Sequence, residues 1–456
     1  MENIFPTFRK KYGDIFTIWY GEKPFVHFTS FESISENFIK NGEAFSGREK
    51  NEMFLELLRD GHHGMTLIDG PVWKEHRRFT MQILRTFSLG KLMQERILTE
   101  VSWMLDDLRK QLKSGNNEIS IQKSIDVAVG SVINSIMYGN SFDEKSLNDF
   151  YAIKEVLKRG SRMISNFAFK VMLRDPYQIL RRLPYFSGMF SEVKGIMDEM
   201  KAMFYNKINE RRATINFDED SEPSDYVEAY LRQQKKLDDA GEKGHSYTPR
   251  DKQLFGNVFD LWLAGQESTA YTLAWIVLYL IKDQKAQKKL QTEFSNIIGS
   301  NRYITLEDKN SLSYLNAVIA ESQRLGNLLV TNIPRRLTED INYHGFTLKK
   351  DTIVCPEISQ VLYDEKIFPE PHKFLPERFL DSNEKFQTKP ELIPFSIGKR
   401  ACLGESMARA ELLLFTANLF NQFEITDLES KPANTTRIMG SAVQPEPFVC
   451  QLKERF

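Results

Sequence analysis

The chain has 456 residues, 41% of them apolar and 33 of them phenylalanine, enough to close a large core. Its 61 basic and 62 acidic side chains leave a formal net charge of −1, so no polyelectrolyte field points to a nucleic-acid partner. Cys355, Cys402 and Cys450 are odd in number and far apart, which excludes a disulfide framework and fits a reducing, cytosol-facing environment.

The opening segment MENIFPTFRKKYGDIF holds no apolar run resembling a signal peptide or a membrane span. Strand-like alternation starts at DIFTIWYGEKPFVHF, and residues 52–66 read as a loop. GPVWKEHRRFTMQILRTFSLGK then predicts a basic amphipathic helix with Trp73 and Arg77 one turn apart, and with Lys74, Arg78, Arg85 and Lys91 forming a positive surface. PYFSGMF, residues 184–190, reads as an apolar loop before a charged helix. The most polar stretch, Arg211 to Arg250, reads as exposed loops around a short helix.

Thr248 is placed to cap the next helix, Pro249 suits its first position, and Asp251 favours the positive helix end. This is the most apolar stretch of the chain, but Asp260 and Glu267 interrupt it, so it reads as a buried core helix and not a bilayer crossing. Midway lies AGQEST, residues 264–269. Glycine weakens a helix and a buried carboxylate needs a partner, so Ala264, Gly265, Glu267, Ser268 and Thr269 mark either a functional segment or a water-solvated kink. Asp260, Ala264, Glu267 and Ser268 share one helical face, predicted to look onto a pocket.

TLED supplies Thr305 and Asp308 as a capping box, opening a helix that Gly326 is expected to stop. Glu321 and Arg324, in ESQR, are one turn apart; Glu56/Arg59 and Glu75/Arg78 share that spacing, so alone it signifies an ordinary helix ion pair. Further on come Arg335 in NIPRRLTED, a second alternating region in INYHGFTLKKDTIV, and Arg378 in FPEPHKFLPERFL. The seven histidines show neither HExxH nor a Cys/His zinc spacing, so no separate metal site is expected. The whole reads as a mainly helical protein with a small β region drawn from distant segments: one interleaved domain spanning residues 1–456.

FSIGKRACLGESMARAE carries the densest chemistry. Phe395, Gly398, Arg400, Cys402 and Gly404 make the pattern F-x-x-G-x-R-x-C-x-G. The glycines allow close backbone approach, and the apolar helix that follows places Cys402 at a helix N-terminus, where N–H groups and the helix dipole stabilise a thiolate. Such a thiolate is an axial ligand for haem iron, and Arg400 can pair with a propionate. A structural cysteine in a glycine turn is the bland alternative.

On these residues the chain resembles the cytochrome P450 haem-thiolate enzymes, and from YGDIFTIWYG through DEKIFPEP to ANLFNQFEI it is similar to animal microsomal family-two-type members. The resemblance implies the cytochrome P450 fold and haem b (heme; iron protoporphyrin IX) bound through Cys402. Trp73, Arg77 and Arg335 are implied as propionate partners, with a surface role as the alternative for Arg335. It identifies Glu321, Arg324 and Arg378 as a structural network under the haem. AGQEST matches the family's oxygen-binding segment: Glu267 and the Ser268 hydroxyl pass protons to the dioxygen pocket, and Ala264 and Gly265 leave room there. Serine stands where threonine is usual, so its rotamer is less fixed and Thr269 is a substitute.

The implied reaction inserts one atom of O2 into a lipophilic substrate (xenobiotic, fatty acid or steroid-like). Electrons come from NADPH through a flavoprotein reductase docking on the basic surface, with cytochrome b5 as a second donor. A haem-thiolate isomerase or dehydratase and a catalytically silent haem sensor are the alternatives. The family's N-terminal membrane anchor and proline-rich hinge have no counterpart in the sequence. Location at the cytosolic face of the endoplasmic reticulum membrane, with peripheral contact through PYFSGMF, is therefore an expectation from resemblance alone.

Overall fold

A computed structural model describes residues 4–456 other than 89–90, 116–117, 174, 176–178, 219–220, 248–250, 301 and 441. In chain order, the elements that matter here are β1 (Ile15–Tyr20), β2 (Lys23–Phe28), α1 (Glu52–Arg59), α2 (Gly70–Ser88), α3 (Pro184–Thr214), α4 (Lys252–Lys282) and α5 (Ser313–Gly326). They continue with β3 (Arg335–Arg336), β4 (Ile341–Tyr343), β5 (Phe346–Leu348), β6 (Ile353–Pro356), α6 (Glu405–Gln422), β7 (Phe423–Asp427), β8 (Arg437–Ile438), β9 (Gln444–Pro445) and β10 (Cys450–Glu454). The protein is mainly helical with a small β region. Among the described residues the largest sheet has the order β1-β2-β6-β3, in which β2 of the N-terminal hairpin runs parallel to β6 and pairs His27 with Cys355.

The backbone resolves into two compact units, each assembled from separated stretches. The first comprises residues 1–49, 88–129 and 267–456; the second comprises 50–87 and 130–266. In the first, Phe28, Phe38 and Phe45 pack edge-on under the sheet with Leu337, Val354, Phe368 and Phe379. In the second, the buried Tyr226 hydroxyl meets Thr80 Oγ1 (2.9 Å) and accepts from Asn257 Nδ2 (3.2 Å), so this polar atom inside the core has partners.

Four local expectations are refined. Residues 52–66 are not all loop: the Asn51 side chain accepts from Phe54 N–H (3.0 Å), capping α1, which ends at Asp60 in a left-handed conformation. PYFSGMF is not a loop but the first turns of α3, because Pro184 at its start needs no N–H partner and already has a helical φ. The Thr305/Asp308 capping box forms, but it opens a 3-10 turn over Leu306–Ser311, and α5 begins only at Ser313. Gly326 is the last residue of α5, and the left-handed cap is Asn327; Gly326 instead lets Trp275 approach, since a Cβ there would sit 3.3 Å from the indole. Thr248 and Pro249, expected to open α4, lie outside the described residues. No described helix is long and apolar enough to cross a membrane.

Candidate functional site

The segment before α6 is a closed bend. After extended Ile397, residues Gly398–Arg400 make one 3-10 turn, and Gly404 leads into α6. Ala401 N–H donates to Gly398 O (3.0 Å) and Cys402 N–H to Phe395 O (2.9 Å). Gly398 has φ +74°, and a Cβ there would fall 1.8 Å from the Phe38 carbonyl oxygen, so no larger residue fits. Ser396 also has positive φ, 60°, and its hydroxyl accepts from Asn332 Nδ2 (2.5 Å) and Arg335 Nη2 (3.0 Å).

Cys402 is exposed, whereas Cys355 and Cys450 are buried. Burial pushes the Cys355 thiol well above its ordinary value, with Glu357 and Glu49 adding to the effect, and pushes Cys450 up to about 12. Thiolate chemistry at neutral pH therefore points to Cys402. A Cβ at Gly404 would lie 4.0 Å from Cys402 Sγ, its nearest neighbour, so glycine there keeps a side chain away from that side of the sulfur. An exposed cysteine framed by glycines is a donor set that fits a flat iron-bearing group.

Basic side chains flank this loop. Arg335 is only 1% exposed, stacks its guanidinium 4.8 Å above Phe38, and donates to Ile397 O (3.0 Å) as well as to Ser396, which removes the surface alternative. Arg400 is buried, with Nε donating to Ser46 O (2.8 Å). Phe395 lies under the guanidinium of Arg409 (4.9 Å), which itself pairs with Glu405. Trp73 and Arg77 belong to the second unit, where Trp73 is buried and Arg77 half-buried on α2; Lys74, Arg78 and Arg85 are exposed.

Glu321, Arg324 and Arg378 meet in one network. Glu321 is fully buried and accepts from Arg324 Nε (2.7 Å) and Nη2 (2.8 Å), Arg378 Nε (3.1 Å) and the Leu375 amide (3.0 Å). Arg324 Nη1 donates to Leu362 O and Pro371 O, both at 2.8 Å, and Arg378 Nη1 to Pro369 O (2.8 Å). Two guanidinium groups and one carboxylate are thus held together with their hydrogen bonds directed at fixed backbone carbonyls.

On α4 the residues of AGQEST separate. Ala264 is exposed, Gly265, Glu267 and Ser268 are half-buried, and Thr269 is buried. Tyr271 donates its phenol proton to Glu267 Oε2 (2.8 Å), and Thr272 Oγ1 donates to Ser268 O (2.8 Å). Burial, helped by the negative charges of Glu267 and Asp126, raises the Tyr271 phenol far above its usual value, so it stays a donor at neutral pH. Tyr271 is not singled out by any motif of the sequence; its i,i+4 spacing from Glu267 is the available signal. The Asp260 carboxylate is engaged within the second unit, accepting from Arg59 and from the amides of Met65 (2.7 Å) and Thr66 (2.9 Å).

One further cluster was invisible to spacing. His27, Cys355 and Glu357 place their ligand-type atoms within 4.8 Å of one another, all buried. His27 Nδ1 and Glu357 Oε1 are joined directly at 2.7 Å across 330 residues of sequence, and burial raises the Glu357 acid.

The protein-family model described as Cytochrome P450 matches residues 1–452. Among curated relatives, Cytochrome P450 2B4 of Oryctolagus cuniculus is 32% identical over 419 residues, which are 91% of this chain and 82% of the relative. Cytochrome P450 2C8 of Homo sapiens is 30% identical over 445 residues, 97% of this chain and 87% of the relative. Cytochrome P450 2C55 of Mus musculus is 31% identical over 444 residues, covering 96% and 86%.

Proposed function

The chain belongs to the cytochrome P450 family of haem b monooxygenases, and on that premise we propose that it inserts one atom of dioxygen into a lipophilic organic molecule using electrons from NADPH delivered by a flavoprotein reductase. The observation that carries this reading is Cys402, the exposed thiol in a bend that only glycine at 398 can form. When bound, the haem supplies the redox chemistry that activates dioxygen.

The chain's own residues prepare and protect that chemistry. Cys402 would hold the iron, and Arg335 and Arg400 would take the propionates; Trp73 and Arg77 are the further propionate partners that the family resemblance implies. Phe395, Gly398 and Gly404 shape the bend around the sulfur, while Glu321, Arg324 and Arg378 fix the surrounding backbone. Ala264 and Gly265 leave space on α4. Glu267 holds and releases a proton, and Ser268 passes it on; the burial of Thr269 leaves Ser268 as the hydroxyl with access. Residues 1–456 act as one haem-thiolate domain in this reading, with cytochrome b5 as a second electron donor. Xenobiotic, fatty-acid and steroid-like molecules are the proposed substrate classes.

The proposed site of action is the cytosolic face of the endoplasmic reticulum membrane. Supporting it, the segment leading into α3 presents Ile179 (57% exposed), Leu183 (47%) and Tyr185 (67%), an apolar edge suited to interfacial contact.

The test is reconstitution with a reductase, lipid and a panel of lipophilic substrates, measuring product formed per NADPH consumed. The expected result is oxygenated product in the wild type, with Ser268→Ala lowering the ratio several-fold and Thr269→Ala leaving it nearly unchanged. An absence of product across the panel, with no substrate-dependent NADPH consumption, would instead indicate a silent haem protein. The opposite ordering of the two variants would transfer the hydroxyl role to Thr269.

A further inference from the structure

We propose that Tyr271 is a positioning residue for Glu267, holding its carboxylate in one orientation on α4 for proton transfer. This rests on the reading of Glu267 as a proton carrier.

The two residues are four apart on one helix, the spacing at which side chains meet, and the phenol donates to Oε2 at 2.8 Å. A glutamate has three side-chain torsions, so a half-buried one samples several orientations unless something holds it. The tyrosine ring offers a donor that reaches from a fixed distance with only two torsions of its own. One residue on, Thr272 Oγ1 donates to the backbone carbonyl of Ser268 at 2.8 Å, an ordinary i,i+4 hydroxyl-to-backbone bond, so the side-chain grip on this turn of α4 is the one on Glu267.

The charged groups acting on the phenol are Glu267 on its own helix and Asp126 on the neighbouring helix Ile121–Tyr138. Both are acidic, and with burial they keep the phenol protonated. Tyr271 is therefore a donor to Glu267 and not a rival acceptor. Loss of the hydroxyl would leave the Glu267 carboxylate without this anchor and release it among its rotamers.

Tyr271→Phe keeps the ring and removes only the hydroxyl. The experiment measures product per NADPH and the solvent deuterium isotope effect in the reconstituted holoenzyme for the wild type, Tyr271→Phe, Glu267→Gln and the double variant. The expected result is that Tyr271→Phe lowers the ratio several-fold and enlarges the isotope effect, and that the double variant is no worse than Glu267→Gln alone. Wild-type behaviour of Tyr271→Phe, with Glu267→Gln impaired, would overturn the role of Tyr271 while sparing that of Glu267. Wild-type behaviour of Glu267→Gln would remove Glu267 as a proton carrier and the inference with it. Should Tyr271→Phe fail to bind haem, 3,5-difluorotyrosine at position 271 serves instead. As a stronger donor it must change the isotope effect, and no change would equally overturn the proposal.

Discussion

Two glutamates in the first unit, each paired with a residue one turn further along its helix, show how differently one fold treats the same side chain. Glu321 is fully buried and takes hydrogen bonds from Arg324, Arg378 and the Leu375 amide. Glu267 is half-buried and meets the neutral phenol of Tyr271. A carboxylate saturated by two cations is a rivet, because changing its charge would strand both guanidinium groups in the interior. A carboxylate beside a neutral donor and partly open to solvent can exchange its proton without taking the fold apart. The first arrangement suits structure, the second suits chemistry.

The sharpest way to break this comparison is to remove each carboxylate. Glu321→Ala leaves Arg324 and Arg378 buried without their anion, at a cost of about 3–5 kcal/mol. The expected outcome is little folded protein and little bound haem, read by urea unfolding and the visible spectrum. Glu267→Gln is expected to change unfolding free energy by less than about 1 kcal/mol while altering the coupling of NADPH to product. Equal effects on stability would erase the distinction.

A third glutamate sharpens the contrast at smaller amplitude. Glu411 on α6 is wholly buried, its Oε2 has no hydrogen-bond partner, and burial pushes its acid well above the ordinary carboxyl value. The folded state therefore holds this proton at pH values where the unfolded chain has released it. Between the ordinary and the raised value the folded state binds more protons, so stability falls as pH rises through that window. Glu411→Gln removes this loss. The variant is expected to match the wild type near pH 4, then gain on it by up to about 1.4 kcal/mol per pH unit until the folded carboxyl ionises. Parallel stability curves for the two proteins would show that Glu411 carries no such penalty.

Legibility in the sequence followed distance along the chain. The bend at 395–404 was readable because its glycines, arginine and cysteine are contiguous and each has a local conformational or chemical reason to be there. The strands showed through alternation, and Arg378 could be joined to Glu321 only through a resemblance of order and spacing. What escaped depended on packing. Arg59 and Asp260 are separated by 201 residues, and nothing local in either signals that they pair. Arg335 had a surface role as its alternative, which the ring of Phe38, the Ser396 hydroxyl and the Ile397 carbonyl remove by enclosing it. Tyr271 followed a functional motif by two residues and was hidden by its own apolarity, since an aromatic residue at helical spacing usually reports a core.

The most direct test of the central claim is the absorbance difference spectrum of the reduced protein with and without carbon monoxide, for the wild type and for Cys402→Ala, Cys355→Ala and Cys450→Ala. A strongly red-shifted Soret band in the wild type and in the two buried-cysteine variants, lost only in Cys402→Ala, is the predicted result. A band that survives in Cys402→Ala, or a wild-type band at the shorter wavelength of histidine-ligated haem, would contradict thiolate ligation through this bend.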